Sequence, residues 1–392
     1  MSRIHNLHIE NFRVISRLDY APHQVNIICG RNNSGKSALL DAILINTQGY
    51  IIRKPSISRL FGIELDRDTT MYTIKNGEKE AVINSDINTV TIYRSLEDCK
   101  NKDPKRHEMI QRTLYKHILD ILEGDDEYKE KYITIIFDTI DYLITISEER
   151  CEVLPYVSVD STRFTTLMAE LDRSSGTNKK DEQRSIVKAR WLRKTLSSFR
   201  FRIKESNAED DKPITPVNKL SHEEKLSLGK MTDEDIHHLE KYIKDQNLVK
   251  NLERLTQENV LYNKDSGIET IPISSHGDGF IALLSTLHHL IRSRNGILLI
   301  EEPENHLHPR YLGVLIETLF SYCEELNVQV FMTTHSFDLI KIALEYPENV
   351  KEKEMLLISK MTTDGTTVEK FDYTVDEGLR VMNELYLDLR GI

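Results

Sequence analysis

The chain has 392 residues, of which 39% are hydrophobic and 29% charged, and its net charge is −11. This balance excludes a disordered chain and fits a globular fold, either one large domain carrying an insertion or two domains. The acidic surplus argues against a surface coated in nucleic acid, while a local basic patch stays possible. Cys29, Cys99, Cys151 and Cys323 stand far apart with no CxxC pair. They read as reduced thiols of a cytoplasmic protein, not as a disulfide frame or zinc site. No apolar run reaches the ~18 residues of a membrane span, and the N-terminus lacks the apolar core of a secretory signal.

In chain order, Ile4 to Ile9 alternates apolar and polar residues, as a half-buried strand does. Gln24 to Cys29 is a short apolar strand ended by Gly30, and a helix is predicted from about Ser34, with Leu39, Leu40, Ile43 and Leu44 at helical spacing. Residues 70–95 read as antiparallel strands with Asn76-Gly77 as the hairpin turn, 105–123 as a helix, and 131–160 again as strands. From 164 to 262 charge is dense and helical patterning dominates, with breaks at Lys212-Pro213 and Thr215-Pro216. The predicted core resumes with a strand near 268–273, a helix from about 279, the strand Ile297 to Ile300, another helix and the strand Val328 to Met332. Two strands joined at Asp364-Gly365 and a helix from about 376 close the chain. Strands alternating with helices imply an α/β fold with a mostly parallel core sheet covered on both faces. The expected division is 1–163 and 263–392 as two parts of one head, with an antiparallel β lobe in the first, and 164–262 as a helical insertion.

Three stretches carry chemistry. Gly30-Arg31-Asn32-Asn33-Ser34-Gly35-Lys36-Ser37 fits G-x-x-x-x-G-K-[ST], the Walker A loop. In such a loop, glycines let successive backbone N–H groups face phosphate oxygens, Lys36 adds a point charge, Ser37 offers a hydroxyl to magnesium, and the following helix presents its positive end. Ile297 to Ile300 is an apolar strand ending in Glu301 and Glu302, which places two carboxylates at the ligand-binding edge of an open α/β sheet. Glu301 is expected to organise the magnesium shell and Glu302 to orient the attacking water, because phosphoryl transfer depends on positioning and charge stabilisation. Thr333-Thr334-His335-Ser336 follows the next strand, where His335 is placed to reach a γ-phosphate. Between them, His306 and His308 suggest a metal pair, but no matching ligand set accompanies them, and Pro303 to Pro309 reads better as a rigid loop at a subunit contact.

Together, IENFR, GRNNSGKSALLDAI, LLIEEPENHLHP and TTHS make the chain similar to the ABC-type heads of the OLD family, relatives of SMC and RecF ATPases. The resemblance covers about 1–50 and 265–345 strongly. It implies a P-loop NTPase of the ABC-ATPase head type that binds ATP and Mg2+. Gly30, Asn32, Asn33, Ser34, Gly35, Lys36 and Ser37 match the nucleotide loop, Glu302 the catalytic glutamate and His335 the switch histidine. Glu301 stands where the family usually has Asp. Ser275, Gly277 and Gly279 stand in a degenerate signature loop, which in such heads completes the ATP site of a second subunit. The implied assembly is a homodimer with two shared sites. Asn11 and Arg13 are either nucleotide contacts or a strand-end turn.

Full-length OLD proteins carry a C-terminal TOPRIM nuclease. The residues after His335 read only as a hairpin and a helix, so the expectation is an ATPase without nuclease activity. Its expected role is a switch in prokaryotic defence against phage, acting with a separate effector. A RecF-like repair ATPase is the competing reading, and a transporter subunit a weaker one. Arg184, Lys188, Arg190, Arg193, Lys194, Arg200, Arg202 and Lys204, with Trp191, Phe199 and Phe201 interleaved, form a run without acidic residues. That run is either a solvated face with aromatics packed inward or a surface for DNA, RNA or an acidic protein.

Overall fold

The structure is a computed structural model of the chain. It describes residues 3–49, 73–121, 141–147, 150–156, 201–204, 217–220, 232–245, 249–305, 307 and 309–383. The first part contains β1 (Leu7–Phe12), β2 (Ile15–Tyr20), β3 (Val25–Gly30), α1 (Lys36–Gln48), β4 (Glu80–Ser85), β5 (Thr89–Tyr93), α2 (Leu96–Lys102) and α3 (Pro104–Ile121). Next come β6 (Asp141–Ile146), β7 (Arg150–Tyr156), β8 (Phe201–Lys204), β9 (Val217–Leu220), α4 (Asp233–Asp245), β10 (Leu252–Leu255), β11 (Asn259–Lys264) and β12 (Gly267–Pro272). The last part holds α5 (Asp278–Arg292), β13 (Ile297–Glu301), α6 (Pro309–Glu325), β14 (Gln329–Thr334), α7 (Phe337–Glu345), α8 (Val350–Met355), β15 (Leu356–Thr363), β16 (Val368–Tyr373) and α9 (Val375–Asn383).

The core sheet has six strands in the order β16-β15-β3-β14-β13-β9. The five strands from β15 to β9 run parallel, and β16 closes one edge as an antiparallel hairpin partner of β15. Alternate residues of each parallel strand serve opposite faces. Val25, Ile27, Cys29, Leu298, Ile300, Val330 and Met332 pack with α4, α5, α6 and α7 on one side. Ile28, Ile297, Leu299, Phe331 and Leu357 pack with α1 on the other. That second face continues into the seven-stranded antiparallel sheet, ordered β2-β1-β4-β5-β6-β7-β8. Ile9, Phe12, Ile83 and Ile92 of this sheet join the same cluster as α1. The helix therefore lies between two sheets, which explains why nearly all of it is buried, including Ala38 to Thr47.

Several expectations need correction. The stretch 164–262 is not uniformly helical. Its described residues form one helix, α4, and the strands β8, β9, β10 and β11. β9 belongs to the core sheet, paired in parallel with Ile297 to Ile300, so the core receives a strand from inside this stretch. A four-residue strand just after a Pro-rich break is too short to show period-2 patterning. Of the basic run, Phe201 to Lys204 form β8 and the remainder lies outside the described residues. The hairpin between β4 and β5 turns at 86–88, while Asn76-Gly77 forms a separate turn before β4. The strand at 267–272 lies in a three-stranded antiparallel sheet, β10-β11-β12, not in the core sheet. The first strand starts at Leu7, later than its pattern suggested.

Candidate functional site

All parallel strands point their carboxyl ends at one edge, and the chemistry-bearing residues collect there. β3 is buried at every position and ends on Gly30. Gly30 has φ +144, and a Cβ there would lie 2.2 Å from the Met361 carbonyl oxygen of β15. Only glycine lets the loop start this close to its neighbour. Asn33 (φ 64) and Gly35 (φ 95) turn the chain onto α1. Gly35 is the N-cap and supplies no side-chain acceptor, so first-turn N–H groups of α1 keep their donor capacity. Lys36 is buried, and its Nζ donates to the carbonyls of Gly30 at 2.9 Å and Arg31 at 2.8 Å. Burial pushes its pKa below the usual lysine value, and the charges of Glu302, Cys29 and Glu304 oppose that shift. Ser34 Oγ is buried without a hydrogen-bond partner, while Asn32, Asn33 and Ser37 are exposed. Capless helix N–H groups, an ammonium and an orphan hydroxyl fit a polyphosphate anion.

Next to this cradle, β14 lies between β3 and β13, with Thr334 opposite Cys29 and Thr333 opposite Glu301. The cradle, the acidic strand end and the TTHS segment thus meet at consecutive strand ends. Glu301 is half-buried at the end of β13. Glu302 takes left-handed backbone (φ 46), and its N–H donates to Thr333 O at 3.0 Å. Its side chain turns toward His335, with Oε1 3.2 Å from Nε2. Its Oε2 accepts from Asn305 Nδ2 at 2.9 Å. Glu304, in the short 3-10 turn Pro303–Asn305, accepts through Oε1 from Thr334 Oγ1, His335 N and Ser336 N at 2.8, 2.5 and 3.1 Å. His306 and His308 lie outside the described residues.

Ser275 closes the 3-10 turn Ile273–Ser275, and Gly277 caps α5, with Gly279 in its first turn. Ser275 and Gly277 are exposed, and a Cβ on Gly277 would meet nothing within 4 Å. His276 anchors the loop to the three-stranded sheet. Its Nε2 is 2.5 Å from Tyr262 Oη, its Nδ1 is 3.0 Å from Pro272 O, and its ring stacks on Tyr262.

For two parts of the site, the sequence singled out the residue but not its partners. Glu304 sits in a polar loop, where nothing in the local pattern separates it from a solvated acid. Arg13 forms an ion pair with Asp41, which is buried in α1. A charged residue inside the otherwise apolar ALLDAIL segment was the available cue. Asn11, near the end of β1, and Arg13, in the β1–β2 turn, both have φ 53, and Arg13 holds that turn against the phosphate-loop helix.

A parallel sheet with this cradle and acidic strand end, joined to an antiparallel lobe, is the architecture of a P-loop ATPase. The family model described as "AAA ATPase domain" (AAA_15) matches residues 3–340. The chain belongs to that family and is an ATPase domain. An uncharacterized protein of Methanocaldococcus jannaschii is 36% identical over 125 residues, covering 29% of this chain and 99% of that protein. Among solved structures, the SMC head domain from Thermotoga maritima aligns over 95% of this chain and 99% of that one, with 11% identity and a TM-score of 0.43. An SmcHead bound to the C-winged helix domain of ScpA aligns over 96% and 99%, with 12% identity and a TM-score of 0.41. Among the described residues, no helix is long and apolar enough to cross a membrane.

Proposed function

We propose that the chain is a dimeric, Mg2+-dependent ATP switch in which Glu302 and His335 act together on the terminal phosphate. One observation carries this reading: His335 Nε2 stands 3.2 Å from Glu302 Oε1 at the strand ends beside the Lys36 cradle. Gly30 and the backbone from Asn32 to Gly35 wrap the phosphates, with Ser34 Oγ as a further donor. Lys36 leaves the two loop carbonyls and neutralises the β and γ phosphates. Ser37 and Glu301 would hold Mg2+, which would supply charge stabilisation at the phosphate oxygens. The longer Glu301 in place of the usual Asp fits slow turnover. Glu302 orients and deprotonates the attacking water, and His335 holds Glu302 and contacts the γ-phosphate. Ser275, Gly277 and Gly279 of one chain close on the ATP of the other, so closure and reopening follow the nucleotide. The resemblance to OLD-type heads supports a role in anti-phage defence with a separate effector protein.

Turnover, nucleotide binding and dimerisation of variants test this. Glu302→Gln is expected to bind ATP, lose turnover and accumulate as closed dimer. Lys36→Ala is expected to lose nucleotide affinity. Mixing Lys36→Ala with Gly277→Asp chains is expected to restore activity, because one composite site stays whole. Mixed dimers without any recovered activity overturn the shared site, and wild-type turnover in Glu302→Gln overturns the assignment of the base.

A further inference from the structure

We infer that Glu304 is a positioning residue that pins the His335 segment to the acidic strand end and thereby holds His335 against Glu302. The inference rests on the reading of Glu302 and His335 as the hydrolytic pair. Its basis is a convergence of three donors on one oxygen. Glu304 Oε1 accepts from the Thr334 hydroxyl at 2.8 Å and from the consecutive N–H groups of His335 at 2.5 Å and Ser336 at 3.1 Å. These two N–H groups fall between the end of β14 and the start of α7. A backbone donor in such a gap needs a side-chain or solvent acceptor. Ser336 is the N-cap of α7, and its own Oγ accepts from Leu339 N at 3.2 Å. The same Glu304 contact therefore sets both the strand exit and the helix entry on either side of His335.

The connection is also short. Glu304 lies two residues after Glu302, in a 3-10 turn that begins at buried Pro303. That turn is itself tied to Glu302, whose carbonyl accepts from Asn305 N at 3.1 Å and whose Oε2 accepts from Asn305 Nδ2 at 2.9 Å. Asn305 thus sets the Glu302 side chain, while Glu304 sets the backbone that carries His335. The other oxygen of Glu304, Oε2, is buried without a hydrogen-bond partner, so its hydrogen-bonding capacity is directed at residues 334–336. Without the pin, the Thr334 hydroxyl and the His335 N–H lose their acceptor, Ser336 N keeps only Thr334 Oγ1 at 2.9 Å, and the His335 backbone is free to leave the geometry that gives the 3.2 Å contact.

The experiment compares ATP turnover and nucleotide affinity of wild type, Glu304→Ala, Glu304→Gln, Glu302→Gln, His335→Ala and the Glu304→Ala/His335→Ala double variant. Glu304→Ala is expected to lower kcat by about 30-fold with ATP affinity within about threefold of wild type. Glu304→Gln keeps an acceptor oxygen and is expected to recover most of that loss. In the His335→Ala background, Glu304→Ala is expected to cost less than about threefold more, because both changes remove one interaction. A merely structural role would make the two losses multiply. Glu304→Ala with wild-type kcat, or multiplying losses in the double variant, overturns the positioning role. If Glu304→Ala does not fold, a Glu304→Gln enzyme as inactive as Glu302→Gln overturns it instead. Wild-type turnover in Glu302→Gln removes the hydrolytic-pair reading itself, and is recognised separately from any result at Glu304.

Discussion

β3 and β14 of the six-stranded sheet are buried at every position. β2 of the seven-stranded sheet alternates, with Leu18 and Tyr20 buried and Arg17 and Asp19 exposed. β3 and β14 are covered by helices on one face and by α1 on the other, so each of their side chains meets a packed layer. β1, β2, β4 and β5 give one face to the α1 cluster and leave the other more open. The arrangement also separates function. Parallel strands bring their carboxyl ends to one edge, where Gly30, Glu301 and Thr334 lie at consecutive strand ends. Neighbouring strands of an antiparallel sheet send those ends to opposite edges.

The largest test is the point where the phosphate loop leaves the parallel sheet. Gly30→Ala forces a Cβ to 2.2 Å from a backbone oxygen at φ +144. Loss of nucleotide binding and a stability loss of about 3 kcal/mol or more are expected, read by ATP titration and denaturant unfolding. Gly77, which precedes the antiparallel strand β4, has φ +92 with nothing within 4 Å of its Cβ position. Gly77→Ala is expected to cost only about 1 kcal/mol and to leave binding unchanged. Equal effects at the two glycines would break the comparison.

An alanine scan sharpens it further. Phe331→Ala and Met332→Ala change adjacent residues of β14 that face opposite packed layers. Each is expected to lose about 2–5 kcal/mol. On β2, Leu18→Ala is expected to be costly, while its neighbour Arg17→Ala stays within about 0.5 kcal/mol. Alternating costs along β14 would refute its two-sided burial.

The smallest expected effects concern pH and have opposite signs in the two regions. His288 on α5 is pushed down to about 4, first by burial and then by the charges of His289 and Arg292, with Asp235 opposing. The unfolded chain takes up a proton first, so stability is lost as pH falls from about 6.5 toward 4. After allowance for solvent screening, His288→Gln is expected to remove no more than about 2 kcal/mol of that acid sensitivity, measured as the difference from wild type in unfolding free energy. His8 on β1 is raised, chiefly by its hydrogen bond to Asp19, with burial opposing and Glu10 assisting. Its contribution is present below about 6.5 and lost as pH rises through its folded pKa. Asp19→Asn is expected to flatten that smaller slope, and an unchanged neutral-to-alkaline profile would remove His8 as its source.

The functional edge was more legible than the fold around it. Gly30 to Ser37 and Ile297 to Glu302 are contiguous, so their spacing displays their chemistry in one dimension. The strand and helix flanking each loop follow the expected apolar runs. β9 was not legible, because four residues after a proline break carry little periodicity and their place depends on pairing with Ile297 to Ile300. The contacts of Glu304 were equally hidden, since the loop that holds it read as a subunit contact and its three donors lie some thirty residues further along the chain.

By itself, then, the sequence determined the phosphate cradle, the acidic strand end, the terminal hairpin and the alternation of strands and helices, because glycine, charge and apolar periodicity act over a few bonds. Only the tertiary structure decided which strands share a sheet, that α1 is enclosed between two sheets, and that Glu302, Glu304 and His335 form one connected group. Those outcomes depend on which distant segments exclude water together and on where buried donors find acceptors, and neither quantity is carried by any short stretch of the chain.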